Sequence, residues 1–128
     1  MQVKWRIIII GIALIWVVSL AGGFVLGIAH VPTGAVLINL FSILAGLTLV
    51  GCLVPQKRWV HLMLTGAGLW ITSALNIALG VTTLPNWLFS ILFIAIAVGI
   101  AGLISMLISA LIKSAAKPPQ PRSAELRD

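Results

Sequence analysis

Between Ile7 and Ile112 the chain carries only two charged side chains, Lys57 and Arg58, and they are neighbours. Stretches this long without charge cannot form the surface of a water-soluble domain. Such a domain carries charge on roughly a quarter of its residues, whereas here 61% are hydrophobic and 8% charged. The solvent for most of the chain is therefore lipid. Lipid offers no partner to backbone N–H and C=O groups, so only helices or a closed barrel can cross it. Barrel strands would alternate apolar and polar residues over about ten positions. The runs here are unbroken, which selects helices.

Breaks in those runs define four spans, at about 7–29, 35–54, 60–80 and 87–112. "HVPTG" separates the first two, Pro55 ends the second, and "VTTLPN" precedes the fourth. Each span reaches the ~20 residues that cross about 30 Å of hydrocarbon. The first run is too long for a signal-peptide core of about 7–15 residues, so it reads as an uncleaved helix. Short connections make consecutive helices antiparallel neighbours. The expected fold is an all-α integral membrane protein, one four-helix antiparallel bundle over residues 1–112. The segment 113–128, "KSAAKPPQPRSAELRD", is polar and proline-rich and is expected to be a disordered cytoplasmic tail.

All eight basic residues fall at the start, at the 55–59 turn or after span four. With four spans these places share one side of the membrane. Basic residues are retained in the cytoplasm, so both termini are expected to be cytoplasmic, in a plasma membrane of the bacterial inner-membrane type. The net charge of +6 is thus a topology signal. It forms no stripe for nucleic acid.

The second half echoes the first. Lys4-Trp5 is matched by Arg58-Trp59, Trp16 by Trp70 and Ser19 by Ser73, at one offset. "LGIAHVP" is answered by "LGVTTLP", and "FSIL" occurs twice. These echoes suggest two tandem-duplicated helical hairpins, related by an axis along the membrane normal as in parallel-repeat transporters.

No ionisable residue lies within a span core, which disfavours proton or sodium coupling. The parts of serine, cysteine or paired-carboxylate catalysis are missing, and an enzyme is not expected. His30 and His61 fall at opposite membrane faces, so they cannot share a metal or haem, and each reads as an interfacial residue. Cys52 is alone, which excludes an internal disulfide. No cofactor or metal is expected.

Three features remain. Small residues recur every four positions: Ser19, Gly23 and Gly27; Gly68, Thr72, Asn76 and Gly80; and Ala97, Ala101, Ser105 and Ser109. Such stripes let helix backbones approach closely, and the last is the candidate face for association outside the bundle. Asn39 and Asn76 lie at matching depth, about 6 Å below the outer boundary. They either pair across helices or line an outer vestibule with Thr82, Thr83 and Asn86 at its mouth. Trp5, Trp59 and Trp87 sit where interfacial anchors do. Trp16 and Trp70 fall near the midplane, where each indole N–H needs an acceptor; Ser19 and Ser73 are candidates. The two also define a candidate apolar pocket for a flat lipophilic ligand.

The functional expectation is an accessory, assembly or scaffold subunit. It would act through helix packing, in a homo-oligomer or a larger membrane complex surrounded by lipid. The alternative is a small oligomeric transporter or channel for a neutral or lipophilic solute.

Overall fold

A computed structural model describes residues 3–28 and 32–116. Among them the structure is all-α, without strands. The helices are α1 (Trp5–Ile28), α2 (Pro32–Leu53), α3 (Arg58–Thr72), α4 (Leu75–Ala78) and α5 (Leu84–Ala115), with a 3-10 turn over Pro55–Lys57. Four helical stretches are long and apolar enough to cross a membrane, the third being Pro55–Ala78. His30 and the tail from Lys117 onward lie outside the described residues.

Four helical stretches are present, as hydropathy suggests, but each starts earlier than its expected bound, and the first three also stop one or two residues sooner. Helix α2 begins at Pro32 and α5 has Pro85 in its first turn. A proline there forfeits no bond, because first-turn N–H groups have no helical partner. Helix α5 runs to Ala115, so residues 113–115 are helical and do not belong to a disordered tail. Its 32 residues measure about 48 Å, well beyond the ~30 Å of hydrocarbon.

Helix α2 packs on α1, α3 and α5, and α3 packs on α1, α2 and α5. Helices α1 and α5 therefore stand at opposite corners of a rhombus, with α2 and α3 across its short diagonal. Glycines set the approach. A side chain at Gly46 would collide with Ile15 of α1, and one at Gly68 with Ile12. The core joins Ile15, Leu47, Val50, Leu62, Leu69, Ala97, Val98 and Ala101.

The four-residue ladder on α5 takes part in this core. Ala97 is 3% exposed, and Ala101 and Ser105 are 0% exposed. A side chain at Gly51 would meet the Ser105 hydroxyl at 2.5 Å, and one at Gly102 would meet the Trp59 ring at 2.5 Å. The expected outward association face is thus corrected. The stripe is narrow because α2 and α3 lie against it. Gly23 of α1 is different: nothing lies within 4 Å of where its side chain would be.

Candidate functional site: a polar-roofed cavity between the spans

Hydrogen bonds fix which ends meet. The backbone N–H just before α1, at Lys4, reaches His61 of α3, and Arg58 of α3 reaches both α2 and α5. The start of α1, the α2–α3 turn and the end of α5 thus form one end of the bundle, here the proximal end. The 79–83 loop lies at the other, distal end.

The proximal end is bonded shut. Arg58, 9% exposed, donates from Nε to the Gly51 carbonyl at 3.0 Å and from Nη2 to Ser109 Oγ at 2.7 Å. Gly51 lies in the last turn of α2, where carbonyls lack helical partners and a cation complements the helix dipole. His61, 0% exposed, has Nδ1 2.9 Å from the Lys57 carbonyl, while its Nε2 accepts from Lys4 N–H at 3.0 Å. Only the Nδ1–H tautomer satisfies both. His61 is thus a buried and fully bonded residue at the proximal end of the bundle. The sequence marks both residues, Arg58 as a topology signal and His61 as an interfacial residue, but not these bonds. Their signal was spacing: Arg58, His61, Leu62, Thr65, Gly66 and Leu69 are the buried residues of α3, and they share one helical stripe.

The distal half holds a cavity of about 290 Å³. Every span contributes. Its apolar walls are Ile15, Leu20, Ile43, Leu69 and Ile94, and its polar groups are Trp16, Ser19, Asn39, Ser73 and Asn76. Both expected asparagines lie here, without a bond between them among the described contacts. They line one space; Asn39 Oδ1 accepts from Ser19 Oγ at 3.0 Å. Among the described residues the Asn76 carboxamide bonds to no other group. Trp16 faces the same space, and its indole N–H donates to Thr72 Oγ1 at 2.9 Å, not to Ser19 or Ser73. The stripe Gly68–Thr72–Asn76 is thus the side of the third span that meets α1 and the cavity.

The roof is made by a break in the third span. Around Ser73–Ala74 the helical ladder tightens. Ala74 N–H bonds to Ile71, Asn76 N–H to Ser73 and Ile77 N–H to Ala74, each three residues back. The Trp70 carbonyl is thereby released from the ladder. The Trp87 indole takes it at 3.0 Å and Ser73 Oγ at 2.7 Å. An inserted side chain is an established cause of helix distortion. Trp70 returns the bond, its Nε1 donating to the Trp87 carbonyl at 3.1 Å, and the rings stack with centroids 4.2 Å apart. Trp70 and Trp87 therefore share one level; a midplane Trp70 and a boundary Trp87 are not compatible with that contact. Beyond the break, Gly80 adopts φ +70. Gly80 N–H bonds to Ile77 and Val81 N–H to Asn76, the pairing that closes a helix with a left-handed glycine.

Other expected site residues fall elsewhere. Thr82, Thr83 and Asn86 do not line the cavity. Thr82 N–H bonds to the Asn76 carbonyl, the Thr83 carbonyl accepts from Trp87 N–H, and Asn86 is exposed in the first turn of α5. Trp16 and Trp70 do not form a common pocket. Trp70 belongs instead to an apolar groove of about 410 Å³ between α3 and α5, with Met63, Gly66, Ala67, Ile91, Ile94 and Ala95.

The chain matches no family model, no curated protein sequence and no solved structure.

Proposed function

We propose that the chain is a small multi-pass protein of a cell membrane that binds a neutral solute in the distal cavity and passes it across or into the bilayer. The observation that carries this reading is the cavity: five polar side chains from three of the four spans converge on it, and among the described residues no charged group lines it. The break in the third span supports it. Irregular backbone at membrane depth is tolerated where it is buried in protein or lines a cavity, and transporters place such broken helices at their substrate sites. In this reading the protein is not an enzyme and needs no cofactor.

The test uses the purified protein alone in liposomes. Swelling in gradients of glycerol and hexane-1,2-diol should exceed that of protein-free liposomes and should fall to their level with Asn76→Leu. Equal swelling with and without protein, for both solutes, rejects transport.

An accessory or assembly subunit is the second reading. Burial of the α5 ladder removes its first support, and Gly23, a small residue of the α1 stripe with open space around it, is what still favours it. A scaffold should co-purify with a stoichiometric partner in mild detergent and lose it with Gly23→Leu.

Cytoplasmic termini follow from the placement of the basic residues. In a Cys52→Ala background, Thr83→Cys should react with an impermeant maleimide applied to intact cells, and Gln56→Cys should not. The reverse pattern would invert every statement of sidedness.

A further inference from the structure

We propose that the solute is a neutral amphiphile with an alkyl portion, that it enters the cavity from the lipid between α3 and α5, and that Ile94 is the residue that sets its passage. This inference rests on the solute-binding reading above and adds a ligand class, a route and a specificity-determining side chain.

Ile94 belongs to two spaces at once. It lines the polar-roofed cavity and also the groove between α3 and α5. It is half-buried, while Met63, Ala67, Ile71, Ile91 and Ala95 around the groove are exposed. One side chain thus stands between the interior of the bundle and the face it turns to lipid. What Ile94 rests on is flat. A side chain at Gly66 would come within 3.3 Å of Ile94 Cγ2, so Gly66 leaves room for the isoleucine to lie against the α3 backbone. A β-branched residue in a helix has one strongly preferred χ1 rotamer. Its volume, more than its rotation, then decides what can pass.

Polarity within the cavity orders the ligand. Ser73 and Asn76 lie at the helix break and beyond it, towards the distal end. Leu69 precedes them on the same span, and Ile15 precedes Ser19 on α1. Ser19, Asn39, Ser73 and Asn76 therefore form the distal part, and Ile15, Ile43, Leu69 and Ile94 the floor. A molecule satisfying both has a hydrogen-bonding head near Asn39 and Asn76 and an apolar end pointing inward. At about 30 Å³ per water-sized unit, the cavity holds roughly ten such units. A longer alkyl portion must leave it, and at the floor the neighbouring space is the groove beyond Ile94, whose lining is almost wholly apolar. Among the described residues no charged one borders either space, which favours an alcohol or an amide head over a phosphate or an ammonium.

Trp16 lines the cavity and reports on its contents, since bromine quenches indole fluorescence at contact. The protein is reconstituted in phosphatidylcholine vesicles. Trp16 emission is taken as the difference between wild type and Trp16→Phe. Two bromine probes are compared with dibrominated phosphatidylcholine at equal bromine content: a dibrominated monoacylglycerol and the small water-soluble 2,2,2-tribromoethanol. The monoacylglycerol should quench Trp16 more strongly than the brominated bulk lipid. Ile94→Phe should abolish that excess, and Ile94→Ala should keep or increase it. Unchanged helical circular dichroism establishes that each variant folds.

The inference is overturned if tribromoethanol quenches Trp16 in an Asn76-dependent way while the monoacylglycerol gives no excess. The solute-binding reading then stands and the lipid route fails. It is also overturned if the excess appears but ignores substitution at Ile94. If neither probe quenches Trp16, the solute-binding reading fails and this inference with it. If Met63→Cys instead cross-links between copies and no excess is seen, the groove is covered by a second chain, which equally excludes the route.

Discussion

The two ends of the bundle handle polar groups in opposite ways. At the proximal end Arg58, His61, Thr65 and Ser105 are buried, and each is bonded to a backbone carbonyl or N–H of the helices. At the distal end Ser19, Asn39, Ser73 and Asn76 are half-buried or exposed and surround a hollow. Buried side-chain polar atoms without a partner are absent among the described residues. The proximal end achieves that by direct bonding, the distal end by leaving polar groups open to whatever occupies the cavity. The comparison teaches that polarity inside a lipid-solvated bundle serves two purposes. Saturated polar groups fix helices in place, and unsaturated ones beside a void are available to a ligand.

The contrast breaks first, and most severely, at Arg58. Its guanidinium joins α3 to the last turn of α2 and to α5, and hydrogen bonds to a charged donor contribute about 1.5–3 kcal/mol each. Arg58→Ala should destabilise the bundle by about 3 kcal/mol or more, read as a shift in its unfolding midpoint in mixed micelles. Arg58→Lys should recover only part of the loss, because a single ammonium cannot reproduce a fork that reaches two acceptors. An Arg58→Ala protein as stable as wild type would remove the distinction between the two ends.

Next in size is Ala101→Leu. Ala101 is 0% exposed and shares a core with Leu47, Val50 and Leu62. Extra methylenes in such a site cost typically about 1–3 kcal/mol. The variant should lose stability by about 2 kcal/mol in the same assay. A leucine there that leaves stability unchanged but dissociates an oligomer would mean that the stripe faces outward after all.

That stripe marks where sequence reasoning stopped. Four spans were legible because backbone satisfaction in lipid is a matter of run length. Small residues at positions 97, 101, 105 and 109 identified a face of close approach, but spacing is the same whether the neighbour belongs to the bundle or to another protein. Asn39 and Asn76 were brought to one cavity because equal depth follows from the rise per residue. Their partners were not legible, because Ser19 and the Asn76 surroundings depend on helix rotation. In the sequence Arg58 and Lys57 together are one topology signal. The helical stripe it shares with His61 and Thr65 was present in the sequence and distinguishes it from its half-exposed neighbour. The bond between Trp87 and the Trp70 carbonyl was not available at all, since it needs a helix break that hydropathy does not record.

At the distal end the effects shrink. Trp16→Phe keeps the ring's apolar body and removes one bond, from the indole to Thr72 Oγ1. A neutral hydrogen bond contributes about 1 kcal/mol. The Thr72 hydroxyl keeps its own acceptors in the carbonyls of Gly68 and Leu69, so nothing is stranded. The expected loss is about 1 kcal/mol or less. A loss as large as that of Arg58→Ala would show the cavity wall to be a structural joint like the proximal one.

The smallest effect on stability is expected at Asn76, and it decides the comparison most sharply. Its carboxamide bonds to no other described group, while its backbone carbonyl accepts from Val81 and Thr82, bonds that any side chain preserves. Asn76→Leu therefore removes no internal bond and places an apolar side chain in the cavity that Ile94 and Leu69 also line. Leucine also favours the helix slightly more than asparagine. Stability should change by no more than about 0.5 kcal/mol, as for substitutions that disturb no packing or bonding, and in the direction of gain. Solute movement and Trp16 quenching should nonetheless be lost. Stability retained and binding lost is the signature of a group kept for a ligand. Should Asn76→Leu instead unfold the protein, the carboxamide holds the helix break together, and the distal end is built on the same principle as the proximal one.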